Sequence, residues 1–266
     1  MLKLSGIARS TYYYYLKQKD SDKYAEAKID IVKIFTKNKS SYGYRRITKL
    51  LQAQGYNINH KTVLKLMKSL NLRGKQSKNG KYHSYKGEIG KIADNILNRN
   101  FTAQKPFEKL ATDVTEFKIC DDKVYFSPVL DLFNREIVSY SISTSPNLWQ
   151  IREMLDGLFI KLPDDARPIF HSDQGWQYQH SEYQRLLAEH NIIQSMSRKG
   201  NCMDNSAMEN FFGRLKVEMF YGEKFESVNA FIDELNNYIY YYNNERISLK
   251  LKGMSPVQYR THSQII

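Results

Sequence analysis

Cysteine is scarce. Only Cys120 and Cys202 stand in a chain of 266 residues, too few for a disulfide framework or a four-cysteine zinc site. A reducing, cytoplasmic setting is the expectation. Long apolar runs are missing too. Every apolar stretch is short and broken by charge, so no transmembrane helix and no membrane partner are expected, and the N-terminus lacks the apolar centre of a secretory signal. Acidic residues are scarce in one place. Residues 1–91 hold 5 of them against 21 Lys and Arg, a net of +16, while residues 92–266 hold 23 against 19, a net of −4.

All of the excess positive charge therefore lies in the first third. A polyanion is implied there, and nucleic acid is the usual one; a merely soluble basic face is the alternative. The start, MLKLSGIARSTYYYYLKQ, reads as part of a small helical unit over 1–20, with Ser10 or Thr11 capping a short helix from Tyr12 to Leu16. Residues 21–72 carry helical periodicity. Ile29, Val32 and Phe35 form one stripe, and Tyr44, Ile47, Leu50 and Leu51 a second, closed by Gly55. Asn59 caps a third helix with Val63, Leu66, Met67 and Leu70 inward. The other face of that helix carries His60, Lys61, Lys65 and Lys68. Two helices joined by GYNIN, the second with a cationic face, match a helix-turn-helix DNA-binding domain; a helical packing or dimerisation module is the alternative. Arg45 and Arg46, at the start of the second helix, join the four as candidate DNA contacts. Residues 73–105 open on RGKQSKNGKYHSYKGEIGK and read as a basic linker that can track phosphates.

After Pro106 the pattern changes. KLATDVTEFKI alternates as a strand, and KVYFSPVLDLF and EIVSYSIS follow at hairpin spacing. LWQIREMLDGLFIK has helix period, RPIFHSD reads as a buried strand, SEYQRLLAEH as a helix, IIQSMS as a strand, and a helix follows from about Asp204. Three antiparallel strands, helix, strand, helix, strand, helix make an α/β mixed sheet flanked by helices over 106–222. A last helix runs from Ser227, as cap, to about Asn243, and the tail to 266 reads as irregular and basic, with Pro256 stopping regular structure.

Three acids stand out on this frame. Asp113 sits in the middle of the first strand, where an acid without a partner is seldom buried. Asp173 ends the fourth strand, which can lie beside the first. Glu209 lies on the helix after Asp204, off the apolar stripe of Met208, Phe212, Leu215 and Met219, on a face shared with Gly213 and Lys216. Gathered carboxylates repel one another in a low dielectric. Oxygen donors without a cysteine pair suit Mg²⁺ or Mn²⁺, and two such ions roughly 3.5–4 Å apart can clamp a phosphodiester. Singly, each acid has a plain reading as well: a strand-edge charge for Asp113 and Glu116, a cap of the turn at Gly175 for Asp173, a surface residue paired with Arg214 or Lys216 for Glu209.

TDVTEF, HSDQGWQY and SRKGNCMDNSAMENFFGRLKVE together resemble the three acidic motifs of insertion-sequence transposases with a retroviral-integrase-type catalytic core. Between Asp173 and Glu209 stand 35 residues, the spacing of that family's D,D(35)E signature, and Lys216 matches its basic position. YGYRRITKLLQAQGYNINHKTVLKLMKSLNLRG resembles the helix-turn-helix that precedes the core, and YYNNERISLKLKGMSPVQY the C-terminal motif. Leu110 departs from the family's frequent tryptophan, and Trp176 from a small or polar residue.

The resemblance implies an RNase H-like core in which Asp113, Asp173 and Glu209 hold two Mg²⁺ ions, with Mn²⁺ as a substitute. It implies a Lys216 that meets DNA near the transferred end, and an Asn205 that shapes the site. His171 would stand behind the acids or touch DNA, with a buried structural histidine an equal reading. The implied activity is metal-dependent cleavage of element ends followed by strand transfer by the 3′-hydroxyl. The implied partners are the element's terminal repeats, target DNA, further copies of the chain, and the product of an upstream reading frame to which this second-frame product would be joined. The setting would be bacterial and nucleoid-associated. A DNA-binding regulator without chemistry, or a structure-specific nuclease, are the rivals.

Overall fold

The computed structural model describes residues 8–13, 22–75 and 90–263. Residues 76–89 of the stretch expected as a basic linker, and Tyr14 to Leu16 near the start, lie outside the described residues. A single helical turn spans 9–13 and holds Ser10 and Thr11 within it rather than before it. The chain divides into two compact units, residues 1–75 and 76–266.

The first unit is built on three helices: α1 (Ala25–Lys37), α2 (Tyr44–Ala53) and α3 (His60–Ser69). The buried stripe of α1 is Ala27, Ile31, Ile34 and Phe35. Ile29 and Val32, expected inward, are exposed, because α1 offers two apolar stripes and only one meets Ile47, Leu51, Val63 and Met67. Asn59 caps α3 by accepting the amide of Lys61 at 2.8 Å. His60, Lys61, Lys65 and Lys68 are exposed, as is Arg45. The ring of Tyr44 stacks on His60, and the Arg45 guanidinium lies 5.3 Å from the centre of the same Tyr44 ring, while Arg46 lies over Tyr42.

The second unit is organised by a six-stranded mixed sheet. The expected first strand is two, β1 (Lys109–Thr112) and β2 (Thr115–Ile119). Both pair antiparallel with β3 (Asp122–Asp131) in one unbroken register, Leu110 against Asp131 and Thr115 against Phe126. Continued through the gap, that register sets Asp113 opposite Pro128. Leu132 donates its amide to the Lys109 carbonyl, and strand alternation turns residue 128 the same way. Proline has no amide to give, so the ladder opens at Asp113. The acid expected at a strand centre therefore stands at a strand end. On the far side of β3 lies β4 (Ile137–Ser143), antiparallel. β5 (Ile169–Ser172) runs parallel to β1, and β6 (Ile193–Met196) parallel to β5.

Both faces of the sheet are covered, and neighbouring residues split between them. Ala111, Leu130 and Ile137 join one apolar cluster with Phe211, Phe212, Phe231 and Tyr242, from α7 (Ser206–Leu215) and α8 (Val228–Asn244). Leu110, Val129 and Val138 join the other with Met154, Leu155 and Leu187, from α4 (Leu148–Phe159) and α6 (Ser181–Glu189). Gly157 permits the close approach of α4 to β4: a Cβ there would stand 2.6 Å from Ser139 Oγ. A short α5 (Trp176–Gln179) precedes α6.

Two segments differ from expectation. Within residues 90–105, counted with the linker, 93–97 lie along β6: Ser195 Oγ accepts the amides of Ile96 and Leu97, and Leu97 is buried in the core. The tail is irregular only in part. Pro256 begins a helix, α9 (Pro256–Ser263), because its ring suits the first helical position and Ser255 with Gln258 forms a reciprocal cap of 3.0 and 3.3 Å.

Candidate active site

Ala111 of β1 faces His171 of β5 in the parallel register. Two residues further along each strand come Asp113 and Asp173, so the two acids stand side by side beyond the carboxyl ends of neighbouring parallel strands, where open α/β sheets place their ligands. Each is held by local backbone. Asp113 Oδ1 accepts the amide of Val114 and Asp173 Oδ1 the amide of Gly175, both at 2.8 Å. The turn-capping reading of Asp173 is thus true of one of its oxygens. Both residues line a cleft of about 280 Å³ with Glu116, Asn147 and Trp176. Glu116 is exposed and bridges to Lys123 at 3.1 Å, as a strand-edge charge does.

The third acid arrives from α7. The segment before this helix is fixed twice. Asn205 donates its side-chain amide to the carbonyl of Thr112 at 3.1 Å. Asp204, with no exposed side-chain surface, accepts from Arg198 at 2.8 and 2.9 Å, Arg99 at 2.7 Å and Asn95 at 3.0 Å. Those donors hold its carboxyl far below the usual range. Glu209 follows in the first turn of α7, half-buried. Its side chain does not line the cleft, yet its negative charge acts on Asp113. Lys216 opens a π-turn at the end of α7. Its ammonium lies 5.4 Å from the centre of the Phe117 ring and is drawn by Asp113 and Glu116.

Burial raises Asp113 well above the ordinary carboxylate range. The negative charge of Asp173 raises it further, and that of Glu209 less; the Val114 amide and Lys216 oppose this only in part. Burial also raises Asp173, against the Gly175 amide. The donors are oxygen only, and two half-buried carboxylates repel each other with one partly buried ammonium in reach. That is the chemistry of a hard divalent cation. Among the described residues no three His, Cys, Asp or Glu side chains form a ready-made ion site.

His171 is buried and neutral. Its Nδ1 lies 2.9 Å from Ser195 Oγ and its Nε2 3.2 Å from Ser197 Oγ. Burial lowers its pKa to about 4. Both nitrogens are engaged inside the sheet, the surroundings that the structural reading expects. Sequence reasoning missed Asp204, Glu218 and Arg246. Arg246 and Glu218 form a buried two-pronged pair at 2.7 and 2.6 Å, joined by the Tyr238 hydroxyl at 3.0 Å. Only the density of Arg and Lys beside an acid in SRKGNCMDN hinted at the first; nothing local signals the second.

Comparison with known proteins accords with this geometry. Family profiles described as "Integrase core domain" match residues 103–202 and 209–263, and one described as "HTH-like domain" matches 21–80. The InsK transposase assigned to insertion sequence element IS150 of Escherichia coli (strain K12) is 49% identical over 99% of this chain and 93% of its own length. A transposase-like protein of Haemophilus influenzae is 56% identical over 77% of this chain and 94% of its own. Among solved structures, a chain in a complex of the simian T-cell lymphotropic virus intasome with a PP2A regulatory subunit covers 86% of this chain and 74% of its own, with a TM-score of 0.50 at 15% identity. At that identity the likeness is one of fold, an RNase H-like mixed sheet.

Proposed function

The chain belongs to the insertion-sequence transposases with an integrase core, and we propose that Asp113, Asp173 and Glu209 are the acids with which it works on DNA. A DNA transposase of this family cuts the phosphodiester at an element's ends and joins the freed 3′-hydroxyl to another phosphodiester. The observation that carries the assignment is the shared register of Ala111 and His171, which aligns Asp113 with Asp173 at the sheet's carboxyl edge.

These oxygens suit Mg²⁺, two ions in this reading, with Mn²⁺ as a substitute. Bound there, such ions would supply activation of the attacking oxygen and stabilisation of the leaving one. The chain's own part is to hold charge in place. The Val114 and Gly175 amides orient the two aspartates, the Asn205 amide and the Asp204 cluster set the start of α7 and so the position of Glu209, and Lys216 offers a cation to the DNA near the transferred end. The exposed face of α3, His60, Lys61, Lys65 and Lys68, with Arg45 and Arg46, grips a duplex, the element's terminal repeat. The joining of two ends to one target calls for more than one copy of the chain on DNA, and the product of an upstream reading frame is a further partner.

Labelled element-end duplexes with Mg²⁺ and a target plasmid test this. Joined products are expected, and replacing Asp113, Asp173 or Glu209 by Ala should lower them at least roughly 100-fold with duplex binding retained. Cutting without joining favours a nuclease, and binding alone a regulator. A thermal melt gives a second readout. A carboxyl whose folded pKa is raised favours the fold only while protonated and loses that contribution as pH rises through the folded value. Asp113→Asn should therefore melt higher than wild type at pH 7 without metal, and should lose most of the upward shift that Mg²⁺ gives the wild type.

A further inference from the structure

A second cavity, of about 320 Å³, opens on another face of α7. Asn210 and Arg214 of that helix line it, roughly a third of a turn round the axis from Glu209 at 3.6 residues per turn. Its other walls bring Arg135 from the β3–β4 hairpin and Lys250 and Arg246 from the segment after α8. No acid lines it. Arg246 is already neutralised by Glu218. The remaining three are not: among the described residues no carboxylate forms an ion pair with Arg135, Arg214 or Lys250. Arg135 gives one N–H to the Phe101 carbonyl at 3.3 Å, and Arg214 gives Nε to the Asn210 carbonyl at 3.2 Å.

Gathering these cations is unfavourable in the free chain. Burial and the charge of Arg214 work against the Arg135 cation, which Tyr242 and the more distant charge of Asp131 offset only in part, and Arg135 holds a left-handed backbone (φ 63°) that residues other than glycine and asparagine seldom adopt. The walls are nonetheless firm. Arg260 pins α9 to the hairpin through Glu136 at 2.8 and 3.2 Å, and Glu218 pins Arg246. A rigid cavity with two guanidiniums and an ammonium, and no negative charge of its own, is built for a tetrahedral oxyanion that a guanidinium can fork onto.

We propose that Arg135, Arg214 and Lys250 hold a backbone phosphate of DNA, one lying apart from the phosphodiester that meets Asp113 and Asp173. This rests on the chain's action on DNA, and adds a second contact point on the catalytic unit itself. The helix that carries Glu209 would then be braced between two phosphates, one on each of two faces, so that docking of the outer phosphate sets the rotation of the helix over the inner one.

The experiment uses the full chain and a labelled duplex. Binding is measured across salt concentrations for wild type, Arg214→Gln, Lys250→Gln, the double variant, and a control, Lys224→Gln, whose exposed side chain lines neither cavity. Lys250 is exposed, so its replacement leaves the fold intact, and a thermal melt verifies this for each variant. The double variant should lower the slope of log affinity against log salt by about 1 and weaken binding roughly tenfold at 0.1 M salt. Its single-turnover cleavage at saturating duplex should fall as well, by roughly two- to tenfold, because the undocked helix no longer presents Glu209 in its set rotation. Slope and affinity equal to wild type, or matched by the Lys224 control, overturn the proposal. So does a fall in the saturating rate without a change in affinity, which would put Arg214 at the reacting centre. A wild-type chain that bound no duplex would overturn the transposase assignment and this proposal together.

Discussion

The side-chain amide of Asn205 donates to the carbonyl of Thr112 across 3.1 Å, and so ties the residue before the helix of Glu209 to the residue before Asp113. Asn205 is buried, and its Oδ1 has no hydrogen-bond partner among the described residues. One hydrogen bond therefore sets the spacing between acids that are distant in sequence. Such a bond is made by a positioning residue: it touches no reacting atom, yet a shift of about 1 Å in a site of this kind can cost roughly 100-fold in rate.

Asn205→Ala should lower cleavage by about 10- to 100-fold at saturating duplex. Duplex affinity should hold, since the side chain is not exposed. The concentration of Mg²⁺ needed for half-maximal rate should rise, which loss of stability alone would not cause. Asn205→Asp should be no better than Ala, because a carboxylate would face the Thr112 carbonyl and add charge beside Asp113. If the metal requirement stays put while only the melting temperature falls, the bond is merely structural.

A pH dependence follows from Asp131 at the end of β3. It is fully buried, accepting the amides of Phe107 and Phe133 at 2.9 and 2.8 Å, and burial pushes its pKa up to about 6. The unfolded chain loses this proton near pH 4 and the folded chain only near 6. Its contribution is therefore complete below pH 4 and lost as pH rises through 6, by up to about 3 kcal/mol. Asp131→Asn keeps the shape and cannot titrate. Chemical denaturation from pH 4 to pH 7 should show the variant gaining on wild type by one to a few kcal/mol, that is about 1–3 kcal/mol, whatever constant offset the altered hydrogen bonds add. Parallel curves would refute the shift.

Much of this site was legible because its parts are local patterns. An acid closing an apolar run before glycine placed Asp173, the element order placed β1 beside β5, and a stripe of Met208, Phe212 and Leu215 placed Glu209 off the core. What escaped depends on partners across space. The break at Asp113 needs Pro128, a residue that looks unremarkable in its own strand. The inward face of α1 depends on what α2 and α3 present, so Ile29 and Val32 competed evenly with Ile31 and Ile34. Asp204 gathers Arg99 from 105 residues away, and no window of sequence contains that pairing. At Pro256 the signal is local: Ser255 and Gln258 flank it at capping distance, and a proline after a cap starts a helix as readily as another ends one.

Glu218 and Arg246 lie in the same class of long-range pairing, and their burial makes them the sharpest test of how the C-terminal segment serves the site. The guanidinium is 2% exposed and its two bonds to Glu218 satisfy both carboxylate oxygens. Glu218 sits in the π-turn two residues after Lys216. Removing Arg246 would leave a buried carboxylate without its guanidinium, which costs about 3–5 kcal/mol. Arg246→Met should lose that much in denaturant titrations at pH 7. Adding Glu218→Gln should recover a large part, because the buried charge goes and the Tyr238 hydroxyl still finds an oxygen. The single variant should also cut less DNA than the double one at a temperature where both are folded, since a displaced Glu218 drags the turn that presents Lys216. Equal stability of the two variants would mean that water reaches the pair, and that α8 holds Lys216 in place by apolar packing alone.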